Sequence, residues 1–232
     1  MPKLSAAMID EKVNKIGFNL FPDILPSQTK CKEVLSMLYD KHPDYFQGIS
    51  EVGPNVFALT RAREGGAPPE HTLVITPKGG TLTYSDQDFQ RDDFMKSVTC
   101  STLDALRAAF PIRRIPRVGR IVETVLAWPE YDLQPNEWIR DNFTVFRADV
   151  DDVHEVSFKF LYRSNGMNIN TIVNPVRHRK RDAWGLQIIC DINNIDTSGN
   201  VTNEMVTSLI DFSTLYFPDR TFEFLNEHVS EL

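Results

Sequence analysis

The sequence predicts an α+β protein of two similar halves, each running strand, helix, three strands, helix. Each half is expected to carry an antiparallel sheet with its helices on one side. Three observations lead there. Short β-type runs bounded by Gly, Pro, Asn and Ser alternate with a few stretches of helical period. The element order restarts about 105 residues after its first appearance, at Val118 as at Val13. The joints "FPDILPSQ" and "WPEYDLQPNEW" both pass from a strand through proline into a helix. The boundary falls near residues 111–117, giving halves 1–112 and 113–232. Side-chain identity between the halves is very low, so order alone carries the repeat. The alternative is one compact domain with a sheet of roughly six to eight strands and no internal symmetry.

In chain order, "VNKIGFNLFPDIL" is loosely alternating and β-rich, a strand over 13–25. Pro26 and Ser27 suit a helix start, and Val34, Leu35 and Leu38 continue at helical spacing until Pro43 forbids continuation. "NVFALTR" and "HTLVITP" are two short strands around the loop "EGGAPP", and "KGG" turns the chain into "TLTYS". A helix from about Asp92 to Phe110 follows, with Phe94, Val98, Leu103, Leu106 and Phe110 as its apolar stripe. The second half opens with a strand over Val118–Trp128 and a short helix behind Pro135. "HEVSFKFLYR" puts Phe158, Phe160 and Tyr162 on one face and Lys159 and Arg163 on the other. "SNG" is a tight turn into "MNINTIV", and "WGLQIICDIN" is the last strand. Asn200 or Thr202 caps a helix through "NEMVTSLIDFSTLYF"; Pro218 interrupts it, and "TFEFLNEHVSEL" adds a second helical segment.

This order resembles the helix-grip and TATA-binding-protein-like folds, in which two copies form one long curved sheet; the resemblance implies architecture and no chemistry. Separately, "RVGRIVETVL" in mid-chain, "LQIICDIN" as a late strand and "NEHV" in a C-terminal helix are similar to a sporadically distributed family of uncharacterised bacterial proteins. That likeness covers most of the chain and implies no catalytic residue.

The 232 residues are 41% hydrophobic and 25% charged, ordinary for a globular protein. No run approaches the ~20 apolar residues of a membrane span, and "MPKLSAAMIDEKVNK" has charges where a signal peptide needs an apolar stretch. Three cysteines without a CxxC read as reduced thiols, so the expected address is cytoplasmic. The charge is unevenly placed. "RRIPRVGR" carries Arg113, Arg114, Arg117 and Arg120, and "VRHRKRDAW" carries Arg177, Arg179, Lys180 and Arg181. Without those eight, 17 basic residues remain against 32 acidic ones. The second stretch is first a solvent-exposed hairpin tip and second a contact for phosphate or an acidic protein patch. Arginine outnumbers lysine in both, which favours bidentate contacts.

Other chemistries lack their spacing. "EGGAPP" and "KGGTL" are neither GxxxxGK[ST] nor GxGxxG. The five histidines form no metal motif, and "DINNIDTSGN" is not a calcium loop, so no metal and no cofactor is expected. Cys190 with His154 and Asp191 is the one nucleophile candidate, yet Cys190 sits in the apolar run "LQIICDI", where a buried structural thiol is the better reading. No catalytic residue is expected. The function expected is a non-catalytic cytoplasmic binding or assembly protein that presents an open sheet face or edge to a protein partner or to a second copy. Two alternatives stay open: an accessory protein that touches nucleic acid through the arginine-rich loops, and an enzyme with an unrecognised site.

Overall fold

The computed structural model describes residues 3–128, 134–143, 156–178 and 183–227. Along the chain come β1 (Ile9–Phe21), α1 (Gln28–Tyr39), β2 (Gly48–Gly53), β3 (Val56–Arg61), β4 (Glu70–Thr76), β5 (Gly79–Tyr84) and α2 (Asp92–Ala109). Then follow β6 (Arg114–Ala127), α3 (Pro135–Phe143), β7 (Phe158–Ser164), β8 (Met167–His178), β9 (Ala183–Asn194), α4 (Asn203–Tyr216) and α5 (Asp219–Glu227). The expected α+β class holds. Among the described residues, nine strands form one antiparallel sheet in the order β2-β3-β4-β5-β1-β6-β9-β8-β7.

Local chemistry accounts for most boundaries. Ser27 caps α1 by accepting the Lys30 N–H at 3.4 Å, and Cys31, Val34 and Leu38 are its buried stripe. Asp92 and Asp93 open α2, where carboxylates suit the positive end of the helix dipole. In the β7–β8 hairpin Asn165 and Gly166 take φ of 48° and 74°, the pair of positive values that a two-residue type I′ turn demands. The β4–β5 connection differs from the expected "KGG" turn, because Pro77 and Lys78 turn the chain while Gly79 and Gly80 already lie within β5. They are glycine for space: a Cβ on Gly79 would sit 2.0 Å from the Phe18 carbonyl oxygen.

Five elements depart from the expected pattern. β2 was absent from it, since "GISEVG" is short and has no buried residue, and its order comes from pairing with β3. β1 starts at Ile9 instead of residue 13, and β6 at Arg114 instead of 118. β8 runs on to His178 and β9 resumes at Ala183, so only residues 179–182 lie outside the described chain there.

By contacts the chain divides into two compact units, one of Asn14–Arg120 with Asn193–Asp211, the other of Met1–Val13, Ile121–Ile192 and Phe212–Leu232. We call them the Tyr84 unit and the Trp138 unit after their largest buried ring systems. In the Tyr84 unit α1 packs on α2, and the core is built from Ile16, Phe18, Leu38, Tyr45, Phe46, Leu59, Leu73, Tyr84 and Leu103, all fully or nearly fully buried. In the Trp138 unit Trp138 and Ile139 of α3 are buried together with Val122, Leu126, Ile169, Val173, Leu186 and Ile188 from the strands.

Candidate functional site

The five of the eight basic residues that lie among the described residues do very different things. Arg120 is 2% exposed. Its Nε and Nη2 donate to Asn14 Oδ1 at 3.0 and 2.8 Å, its Nη1 reaches the Ile210 carbonyl at 3.3 Å, and Asp92 Oδ1 lies 3.9 Å away. Asn14, itself fully buried, passes the chain on to Gln90 Oε1 at 2.9 Å. Arg120 therefore neutralises an interior and would have to break these bonds to meet a phosphate. Arg114 donates to the Ser198 carbonyl at 2.6 Å and lies 4.9 Å over the Phe21 ring. Arg117 is partly exposed, and Arg113 is exposed with its backbone N–H on the Phe21 carbonyl at 2.9 Å. All four belong to the Tyr84 unit. Arg177 is exposed at the end of β8 in the Trp138 unit, and Arg179, Lys180 and Arg181 lie outside the described residues.

Cys190 is fully buried in β9, with the Thr171 hydroxyl 3.7 Å from its sulfur. Asp191 follows it along the strand and so projects to the opposite face, away from the thiol. His154 lies outside the described residues. Among the described residues no group of three or more His, Cys, Asp or Glu side chains is placed to hold a metal, and no helix is long and apolar enough to cross a membrane.

Two features of the surface stand out physically. The first is one face of the sheet in the Trp138 unit. Rings of three helices lie on the other face: Phe143 of α3 stacks on Phe158, Phe224 of α5 meets Phe160, and Tyr216 of α4 meets Tyr162. The register pairs Phe158 with Val173, Phe160 with Thr171 and Tyr162 with Ile169, so these residues share that covered side. The intervening residues face the other way. There Lys159, Leu161 and Arg163 of β7 are exposed, Ile172 of β8 and Ile189 and Asp191 of β9 are partly exposed, and so are Ile121, Glu123 and Val125 of β6. Leu161 is 67% exposed. β7 is also the last strand of the sheet, and its outward Lys159 and Arg163 are the charges that discourage indiscriminate edge pairing.

The second feature is a cleft of about 840 Å³ in the Tyr84 unit, lined in part by Asp44, Gln47, Arg61, Arg63, Glu70 and Asp86. Arg61 ends β3 directly opposite Glu70, which begins β4. The Arg61 Nη2 donates to Glu70 Oε2 at 2.7 Å, and Arg63 Nη2 stands 3.6 Å from Glu70 Oε1. The Arg61 guanidinium lies 4.6 Å over the Phe89 ring and reaches Asp86 Oδ2 from Nη1 and Nη2 at 3.4 Å each. Asp86 also caps the short turn that carries Phe89, its Oδ1 accepting the Asp88 N–H at 3.2 Å. Gln47 closes one wall by accepting the Ala62 N–H at 2.6 Å.

Sequence reasoning passed over Arg61, Arg63, Glu70 and Asp86 because they are scattered single charges. The available signal was the alternation at the end of "LTRAR", which puts Arg61 and Arg63 on one side of the chain before "EHT" returns. The fate of Arg120 was also readable: Val118, Val122, Thr124 and Leu126 alternate along β6 and carry Arg120 to their own buried face.

No protein-family model, curated protein or solved structure matches this chain.

Proposed function

We propose that this chain is a non-catalytic cytoplasmic binding or assembly protein, and that the open sheet face of the Trp138 unit contacts a protein partner, a second copy of the chain included. One observation carries the reading: the face opposite the α3, α4 and α5 rings keeps Leu161, Ile172, Ile189, Ile121 and Val125 in partial or full contact with water, bordered by charges of both signs. An apolar strip with a polar rim is what a protein contact covers. Three free cysteines support a reducing compartment. The element order supports a duplicated half of the helix-grip or TATA-binding-protein-like kind, with β2 as an addition to the first copy. With Arg120 and Arg114 engaged inside the Tyr84 unit, nucleic-acid contact through the arginine stretches loses two of its cations.

Light scattering after size exclusion, with a pull-down from the native host, tests the reading. Leu161→Asp combined with Arg163→Glu changes two exposed side chains and should leave the melting temperature within a few degrees. It should abolish self-association or partner capture. A wild-type protein that stays monomeric and captures nothing overturns the proposal.

A further inference from the structure

We propose that the partner covering the open sheet face of the Trp138 unit is a second copy of the chain, packed face to face about a two-fold axis parallel to the strands. The proposal rests on the sheet-face reading and specifies its occupant.

The rows of residues that cross this face follow from contacts between neighbouring strands. β7 and β8 pair Lys159 with Ile172 and Leu161 with Asn170. Between β8 and β9, the Thr171 hydroxyl meets the Cys190 sulfur at 3.7 Å and the Asn174 amide meets Gln187 at 3.5 Å. One antiparallel register satisfies both contacts, and it sets Ile172 opposite Ile189 and Asn170 opposite Asp191. Between β9 and β6, the Thr124 hydroxyl donates to the Ile188 carbonyl at 3.2 Å and Asn194 accepts the Val118 N–H at 2.8 Å. That register sets Glu123 opposite Ile189 and Ile121 opposite Asp191. Two adjacent rows therefore run from β7 to β6: Lys159, Ile172, Ile189, Glu123, and beside it Leu161, Asn170, Asp191, Ile121.

Each row is complementary to itself reversed. The first reads cation, apolar, apolar, acid; the second reads apolar, amide, acid, apolar. A two-fold axis along the strands, midway between β8 and β9, turns a second copy over and reverses its rows while keeping their level. Lys159 then meets the partner's Glu123, Ile172 meets the partner's Ile189, Leu161 meets the partner's Ile121, and Asn170 meets the partner's Asp191. Glu123 and Asp191 also interact within their own chain, and a carboxylate has lone pairs enough to accept a further donor across the contact. An axis across the strands would set β7 against β7 and bring Lys159 and Arg163 toward the same cations of the other copy, which like charge disfavours. Sheets packed with their strands nearly aligned stack about 10 Å apart, the spacing that side chains of this size fill. Four strands about 4.8 Å apart and about six residues long give a patch roughly 20 Å on a side. A patch of that size is small for a specific contact and suits a dimer that exchanges in solution. The contact is isologous, so it closes at two copies and does not propagate.

Sedimentation velocity of the full chain at low ionic strength tests this, with exchanged charges. Wild type should dimerise. Lys159→Glu and Glu123→Lys, each alone, should weaken the dimer at least about tenfold, because each sets like charges together at both ends of the symmetric contact. Mixed in equal amounts, the two variants should form a heterodimer within about threefold of the wild-type affinity, since every end again pairs opposite charges. Glu123→Gln, nearly isosteric, should weaken the wild-type dimer in the same direction and serves in the mixture if circular dichroism shows that Glu123→Lys alters the fold. A wild type that stays monomeric while the open face captures a host protein overturns the second copy and leaves the sheet-face reading standing. A dimer that is lost with Leu161→Asp and Arg163→Glu but is not restored by mixing overturns the proposed axis alone. A dimer indifferent to all of these changes overturns both.

Discussion

The two units each carry a run of contacting aromatic rings, and they bury those runs to different depths. In the Tyr84 unit, Tyr45, Phe46 and Tyr84 are buried, and Tyr45 touches Phe46, Tyr84, Phe89 and Phe94 at ring separations of 5.0 to 5.4 Å. Both buried hydroxyls are used: Tyr45 donates to the Thr83 carbonyl, and Tyr84 shares a hydrogen bond with Thr99 at 3.2 Å. In the Trp138 unit, Phe158, Phe160, Tyr162, Phe212, Tyr216 and Phe224 form a run of ring contacts in which no member is fully buried. The first arrangement closes a core around satisfied polar groups; the second leaves ring surface in contact with water. The difference teaches that a phenol buried this deeply comes with a partner for its hydroxyl, as Tyr45 and Tyr84 show.

The largest expected effect comes from removing the charge at the centre of the sealed unit. Arg120→Ala strips Asn14 of its donor and leaves a void, and should cost about 3 kcal/mol in urea unfolding. Arg113→Ala, at an exposed position of the same stretch, should stay within about 0.5 kcal/mol. Equal effects would mean that the buried network contributes nothing.

High pH should separate the units next. Burial pushes the Cys31 thiol up to about 11, and desolvation, with the neighbouring Tyr84, raises Tyr45 well above the ordinary phenol value. Burial likewise raises Tyr84, against its hydrogen bond to Thr99. Each group keeps its proton longer in the folded state than in the unfolded one. Its contribution is therefore fully present below the unfolded value, near pH 9 for the thiol and 10 for the phenols, and is lost as pH rises toward the folded value. In the Trp138 unit burial raises Tyr216 to about 12, so it contributes in the same direction through one phenol. Hydrogen exchange between pH 8 and 11, corrected for intrinsic rates, should show the Tyr84 unit losing protection first. Parallel loss in both units breaks the comparison.

The smallest effect sharpens it. Tyr84→Phe leaves the buried Thr99 hydroxyl without its partner and should cost about 1 kcal/mol. Tyr162→Phe, on the partly exposed run, should be close to neutral by thermal melting.

Local signals made much of the fold legible. Ser27, the Asp92–Asp93 pair, the Asn165–Gly166 turn and the alternation of Phe158, Phe160 and Tyr162 each act within a few residues, and the corresponding elements form where those signals stand. β2 was not legible, because an exposed edge strand is specified by its neighbour's backbone and carries no burial pattern of its own. The place of Arg120 rests on strand alternation as well. A run of arginines in sequence suggests a charged surface, but strand alternation distributes its members to opposite faces, and Arg120 went inward.

What the sequence by itself determined is the α+β class, the helix caps, the hairpin turn chemistry and the face each strand residue takes, because all of these depend on dihedral preferences and on spacings of two or 3.6 residues. Only the tertiary structure decided that the nine strands among the described residues join one sheet, that Arg120 meets Asn14 from 106 residues away, and that Arg61, Glu70 and Asp86 meet around one cleft. Those outcomes depend on which strands pair and in what register, and that is settled by the burial of many residues at once and not by any short stretch of the chain.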